Sequence, residues 1–278
     1  MLDAVLHEMV PVCDALGIPV FVSDNGSGDA TPEVCAAWAR RSVGFHYQRH
    51  PQTVPFGHSV MSAMAMSDAE YTWLSGDDDF LVPEGIRTVF RILGERGPDA
   101  LVVRTIEVPR PDFAALDAPL GPQLAPLLAQ APAARAVRTY ADAGEFFAAR
   151  HIILPAPTVI YPTERTLATD YARYLDTHHA HIGALFDALA AAQARSGRVD
   201  VVEIGDLCSV SLTTHHAEGK DQWSELFRFL AVEGFPRWFS LLPPLYAPHL
   251  PIAEAHHRHI FRAVLDADGA RQASEPGS

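Results

Sequence analysis

Apolar residues recur at helical spacing from Leu2 to Leu16, with Val5, Leu6, Met9 and Val12 on the same stripe, and Gly17 ends the run. The pattern then changes period. "IPVFVS" (18–23) is a short, continuous, β-branched run, the signature of a strand buried on both faces. A helix follows over 32–41, with Pro32 in its first turn and Thr31 as its cap. "VGFHYQ" (43–48) predicts a second strand, and the small-residue run 57–67 a helix. "AEYTWLS" (69–75) predicts a third strand, Pro83 opens a helix to about Gly94, and "ALVVRTIEV" (100–108) a fourth strand. Strands that alternate with helices imply βαβ units, hence an α/β fold with a mostly parallel central sheet flanked by helices. In such sheets ligands sit at the carboxyl ends of the strands.

Residues 109–137 break the alternation. They are rich in Pro, Ala and Leu and poor in charge, which predicts a long excursion or flap between two halves. The domain reading is therefore a first half over 1–108, the excursion, a second half over 138–270 and a disordered tail over 271–278. The second half predicts a helix over 140–149, an extended stretch near 157–161, a helix over 178–195, a strand over 198–204 and helices over 221–234 and 251–266. The apolar segment 235–250 reads as a packed C-terminal subdomain, with an acceptor groove or a peripheral membrane contact as the alternative.

The 278-residue chain is 48% hydrophobic, enough for an ample core. Its formal net charge of -13 argues against a nucleic-acid partner. The three cysteines, Cys13, Cys35 and Cys208, are widely spaced and form no CxxC, which fits a reducing, cytoplasmic setting and rules out a Cys-rich zinc site. No apolar run is long enough for a transmembrane helix.

Two polar clusters fall at predicted strand ends. In "EYTWLSGDDDF" (70–80) the third strand runs into Asp77, Asp78 and Asp79. Adjacent carboxylates repel one another, and a divalent cation among them relieves the repulsion. In an extended backbone, residues i and i+2 point the same way, so Asp77 and Asp79 are expected on one face. A solvated turn capping the next helix is the plainer reading. The second cluster, "VFVSDNGSGDAT" (20–31), lacks the ligand periodicity of an EF-hand and the glycine pattern of a dinucleotide loop. It leaves an Asp at a strand end, then a Gly-rich turn and a helix. Such a carboxylate can accept a hydrogen bond from a base N–H or a ribose hydroxyl, and an Asx turn is the equal alternative.

"VSDNGSGDAT" followed some way on by "EYTWLSGDDDFLVPEGI" resembles the family 2 glycosyltransferases of the GT-A fold, and most closely their abequosyltransferase-like bacterial branch. The likeness covers roughly residues 1–107. It implies a metal-dependent, inverting transfer of a sugar from a nucleotide-diphosphate donor, UDP-linked or other, to an acceptor hydroxyl in polysaccharide or glycoconjugate biosynthesis. It assigns Asp24, Asn25, Ser27, Asp77 and Asp78 to the donor nucleotide, and Asp77 and Asp79 to Mn²⁺ or Mg²⁺. The acceptor would be a glycan, a lipid-linked sugar or a small molecule. A general base is needed on the acceptor side. Asp176 is the candidate, with His179 behind it, although Asp176 is also placed to cap the helix after it and His178, His179 and His181 read as its solvated first turn. His215 or His216 could complete the metal shell. The family's usual opening strand has no counterpart, so the resemblance predicts a sheet lacking its first strand. That departure, and a His-rich stretch where many relatives carry an acidic pair, keep a non-catalytic binding module open as the alternative. A metal-dependent hydrolase is the weaker third reading, because no H-E-x-x-H spacing supports it and His179 and His181, two apart on an expected helix, do not share a face.

Overall fold

The computed structural model describes residues 1–109, 120–130, 137–150, 156–213 and 220–266. Its first half follows the predicted alternation closely. α1 (Leu2–Leu16) stops at Gly17, which takes the left-handed cap conformation with a φ of 68°. β1 (Val20–Asp24), α2 (Thr31–Ala39), β2 (Phe45–Arg49) and α3 (Phe56–Ala65) come next. β3 (Tyr71–Trp73) and β4 (Asp79–Leu81) flank the acidic triplet, and α4 (Pro83–Arg96) leads to β5 (Ala100–Pro109). The segment expected as an excursion holds α5 (Leu120–Gln130), anchored by the buried Leu124 and by the Gly121 amide donating to Glu8 Oε1 at 3.1 Å. The second half runs β6 (Arg138–Tyr140), α6 (Ala143–Arg150), β7 (Val159–Pro162), α7 (Thr163–Leu167), a 3₁₀ turn (Tyr171–Thr177), α8 (Ala180–Ser196) and β8 (Val201–Thr213). α9 (Lys220–Phe229), α10 (Phe235–Leu241) and α11 (Leu250–Ile260) complete it.

The fold is α/β, but the sheet is mixed rather than mostly parallel. β5 and β8 pair in parallel, whereas β7, β4, β6 and β3 all join by antiparallel ladders, in the order β3-β7-β5-β8-β4 with β6 also on β8. The chain reverses in the turn at Asp77 and Asp78, so β4 returns antiparallel to β3 with no helix between them. β1 and β2 form their own parallel pair, with Asp24 level with Arg49. Among the described residues no strand bridges β1 and β3.

Both faces of the large sheet are covered, which explains its unbroken apolar runs. Along β5, Ala100 and Val102 pack into the main core with Phe146, Tyr174, Phe186 and Trp238, while Leu101 and Val103 face Val89 of α4 on the other side. Phe235, Trp238, Phe239 and Tyr246 are buried and tie segment 235–250 to the main core, while Pro236, Arg237, Ser240, Pro244, Ala247 and Pro248 are exposed. No described helix is long and apolar enough to cross a membrane.

Candidate functional site

The turn after β1 is locked to the loop after β2. Asp24 is buried, and both its oxygens are engaged by the protein itself. The Ser27 amide donates to Oδ1 at 2.7 Å and the Tyr47 hydroxyl to Oδ2 at 2.7 Å. Arg49 Nε lies 3.4 Å from Oδ2 and its Nη2 donates to the Ser27 carbonyl. Burial works to raise the Asp24 pKa, but the Ser27 amide, the Tyr47 hydroxyl and the Arg49 charge outweigh it and hold the carboxyl below its usual range. The same pairing and burial push Tyr47 up to about 12. Asn25 clamps the facing loop in both directions: its Nδ2 donates to the Val54 carbonyl and its Oδ1 accepts from the Val54 amide, each at 2.9 Å. Gly26 sits at φ 82°, with the Thr53 amide nitrogen only 3.0 Å from where a Cβ would be. The residues of this cluster therefore form a rigid, half-exposed ledge at a strand end.

The acidic triplet is not extended. Residues 77–78 form a turn, Asp77 is exposed, Asp78 half-buried, and Asp79 buried inside β4 opposite Ser211 of β8. The expectation that Asp77 and Asp79 share one face fails because β4 begins at Asp79 and the chain must reverse before it. Asp79 Oδ2 accepts from the Gly76 amide at 2.6 Å, and the Ser211 hydroxyl adds a second hydrogen bond. Burial, with the Asp77 charge behind it, outweighs both and raises the Asp79 pKa. Among the described residues no cationic side chain pairs with Asp79, and no three His, Cys, Asp or Glu side chains converge as a ready cation site.

α3 links these turns to the second half. Val54, held by Asn25, precedes Pro55 and the first residue of α3, Phe56. The Phe56 ring stacks on His178 with centroids 3.9 Å apart and planes 12° off parallel. Gly57 fits directly against the 3₁₀ turn Tyr171–Thr177, where a Cβ would lie 2.3 Å from the Leu175 carbonyl oxygen. Asp176 projects from that turn, exposed, with Arg237 Nη2 at 3.4 Å. It is not the cap of the following helix: α8 begins at Ala180, and no side chain caps it. His178 holds the one non-glycine positive φ among the described residues, 69°.

The histidines are not a solvated turn. His181 is buried and His178 and His179 half-buried, and burial lowers His178 to about 4, His181 to about 3 and His179 well below the ordinary value. A neutral His179 packed against Phe235 and Trp238 is a core residue and a poor base. His215 and His216 lie outside the described residues. Sequence reasoning missed Tyr47 and Arg49. The period-two alternation of "FHYQR" puts both on one face, and that was the available signal. Ser211, Arg237 and Phe56 carried no local signal, since each matters only through a long-range contact.

Residues 1–117 match the family described as Glycosyl transferase family 2. Among solved structures, the chain is similar in fold to S. aureus TarS 1–349 in complex with UDP, at 14% identity and a TM-score of 0.55, over 94% of this chain and 69% of that one. It is also similar to the mannosyltransferase PcManGT from Pyrobaculum calidifontis in complex with GDP-Man and Mn²⁺, at 14% identity and a TM-score of 0.53, over 100% of this chain and 73% of that one. No curated protein matches the sequence. The family match and the shared GT-A-like fold support a glycosyltransferase.

Proposed function

We propose that this chain transfers a sugar from a nucleoside-diphosphate donor to an acceptor hydroxyl, with inversion, in bacterial polysaccharide or glycoconjugate assembly. The observation that carries the reading is Asp79: a buried carboxylate at a strand end, raised in pKa and lacking a cationic partner among the described residues. A protein tolerates such a charge where a ligand supplies the missing cation.

The ledge made by Asp24, Asn25 and Ser27 would hold the nucleoside. The Asp24 oxygens retain lone pairs beyond those used by Ser27 and Tyr47, and Arg49 Nε lies 3.4 Å from Oδ2. Asp77, Asp78 and Asp79 face the diphosphate end. The residues fit a hard divalent cation of the kind that takes one or two carboxylates and completes its shell with substrate phosphates, so Asp79 and the exposed Asp77 would hold Mn²⁺ or Mg²⁺. Such an ion, when bound, offsets the charge that develops on a departing diphosphate. Asp176 is the base in this reading. It would take the proton as the acceptor oxygen bonds to the anomeric carbon and the bond to the diphosphate breaks, with Arg237 Nη2 3.4 Å from it.

Asp77 is exposed in the turn whereas Asp79 is buried in β4, and this difference favours a second reading, a donor-binding relative without turnover. Two measurements separate them. UDP or GDP with Mn²⁺ is expected to raise the thermal midpoint more than either alone. A screen of nucleotide sugars with Mn²⁺ is expected to show donor hydrolysis. A shift without hydrolysis supports the binding module, and no shift with any nucleoside diphosphate removes both readings.

A further inference from the structure

α8 borders an open groove of about 550 Å³, lined on its other sides by α7, the 3₁₀ turn and the Pro243–Pro244 loop. Arg165, Arg173 and Arg195 all line it. Asp170 and Asp187 line it too, so the lining carries three guanidinium groups against two carboxylates, in a chain whose net charge is -13. Carboxylates pair with two of the three arginines and leave Arg195. Asp99, which pairs with Arg165, lies outside the groove lining. Asp187 accepts from Arg173 Nη2 at 2.7 Å, and Asp170 stands 3.9 Å from Arg173 Nη1. Arg195 has no ion pair among the described residues.

Arg173 is held from several directions yet left incomplete. Its Nη2 also donates to the Tyr174 hydroxyl at 2.9 Å, and its guanidinium lies 4.8 Å from the centre of the Tyr174 ring. Its Nε is buried and has no hydrogen-bond partner. A cation in the last turn of α8 suits the helix dipole, which accounts for Arg195 alone but not for Arg173 or Arg165. A guanidinium held in place beside an unpaired one suits a phosphate group. The small apolar walls, Ala168, Ala188, Ala191 and Pro243, leave room for a compact ligand body.

The groove is distinct from the candidate donor site. Arg165 pairs with Asp99, just before β5, whereas Asp79 is level with Ser211, itself paired with Glu107 of β5. Eight residues of strand separate the two levels, roughly 26 Å at the usual rise. We propose that this groove is a second ligand site, taking a small molecule with a phosphate group that the three arginines grip.

The test is calorimetry on the full chain with inorganic phosphate and with phenyl phosphate, in EDTA so that no metal contributes, at matched ionic strength in chloride. The parent is expected to bind at least one of the two. Tighter binding of phenyl phosphate identifies a phosphate ester as the preferred form, and equal binding identifies free phosphate. Arg195→Ala is expected to weaken binding about tenfold and Arg195→Glu to abolish it. Arg195 is exposed, so both variants should keep the parent's unliganded thermal midpoint, which checks that they fold. No binding by the parent, or binding unchanged in Arg195→Glu, overturns the proposal. Neither result depends on donor binding, since the probes lack a nucleoside and the metal is removed.

Discussion

Asp79 combines two demands that conflict. As a charge buried in β4 it opposes folding, because its carboxyl is raised above the unfolded value. Its penalty is absent at low pH, where it is protonated, and grows as pH rises through the folded pKa. As a proposed metal ligand it must be ionised. Asp79→Asn separates the two. The amide keeps an oxygen to accept from Gly76, and its nitrogen can donate to Ser211. The variant is expected to match the parent or exceed it in unliganded stability at neutral pH by about 1 kcal/mol. It should also lose the Mn²⁺-dependent part of the UDP-induced rise in thermal midpoint. If it keeps that rise in full, Asp79 is not the metal ligand. Asp24 differs in that its charge is already answered by Ser27, Tyr47 and Arg49, so its neutralisation would cost stability rather than restore it.

At the level of elements, the contact between α3 and the 3₁₀ turn joins the proposed donor side to the proposed acceptor side. Gly57→Ala tests it. Helix propensity alone would favour Ala by up to about 1 kcal/mol. The new Cβ, however, would lie 2.3 Å from a backbone oxygen of Leu175, which cannot swing aside like a side chain. Overpacking of this kind costs about 1–3 kcal/mol, so the clash wins and the variant is expected to be less stable in urea. Its transfer to acceptor should fall more than its donor hydrolysis, because Asp176 moves with the turn. The elements that the sequence displayed were those set by local pattern: α1 from its stripe and Gly17, α4 from Pro83, β5 from its apolar run. The elements it hid were set by distant partners. β8 runs well past the strand foreseen over 198–204 because Gly205 and Asp206 suggest a turn, yet they lie in an irregular stretch where Val102 pairs Glu203 and Arg104 pairs Leu207. β4 and β6 are three residues each, too short to show a period, and exist only because β8 offers an edge. The candidate site was legible to the same extent: the two acidic turns stood out, whereas the turn at 77–78 and the ties through Phe56 and Val54 needed the fold.

For the whole molecule, the buried histidines of α8 and the turn before it set the acid limit. His178 titrates near 4 and His181 near 3 when folded, against 6.5 when unfolded. The cause is desolvation, with the neighbouring imidazoles adding repulsion at His179 and His181. Above 6.5 both states hold these side chains neutral, and no stability depends on them. As pH falls below 6.5 the unfolded chain takes up protons that the folded chain refuses, so stability drops until the folded pKa values are reached. Each histidine contributes about 1.4 kcal/mol per pH unit, so His178 and His181 together remove on the order of 4 kcal/mol by about pH 5. That is a large share of the stability of a typical domain, and it falls on the part of the core that holds α8, α10 and the Asp176 turn together. Urea unfolding is expected to show stability level above pH 7 and falling steeply between about pH 6.5 and 4. His178→Asn isolates one contribution, because Asn tolerates the left-handed backbone at that position and does not titrate. The variant should lose the Phe56 stack at neutral pH yet show a shallower acid slope than the parent. An unchanged slope would mean that His178 is already solvated, and that the link between α3 and the acceptor side is looser than its ring contact implies.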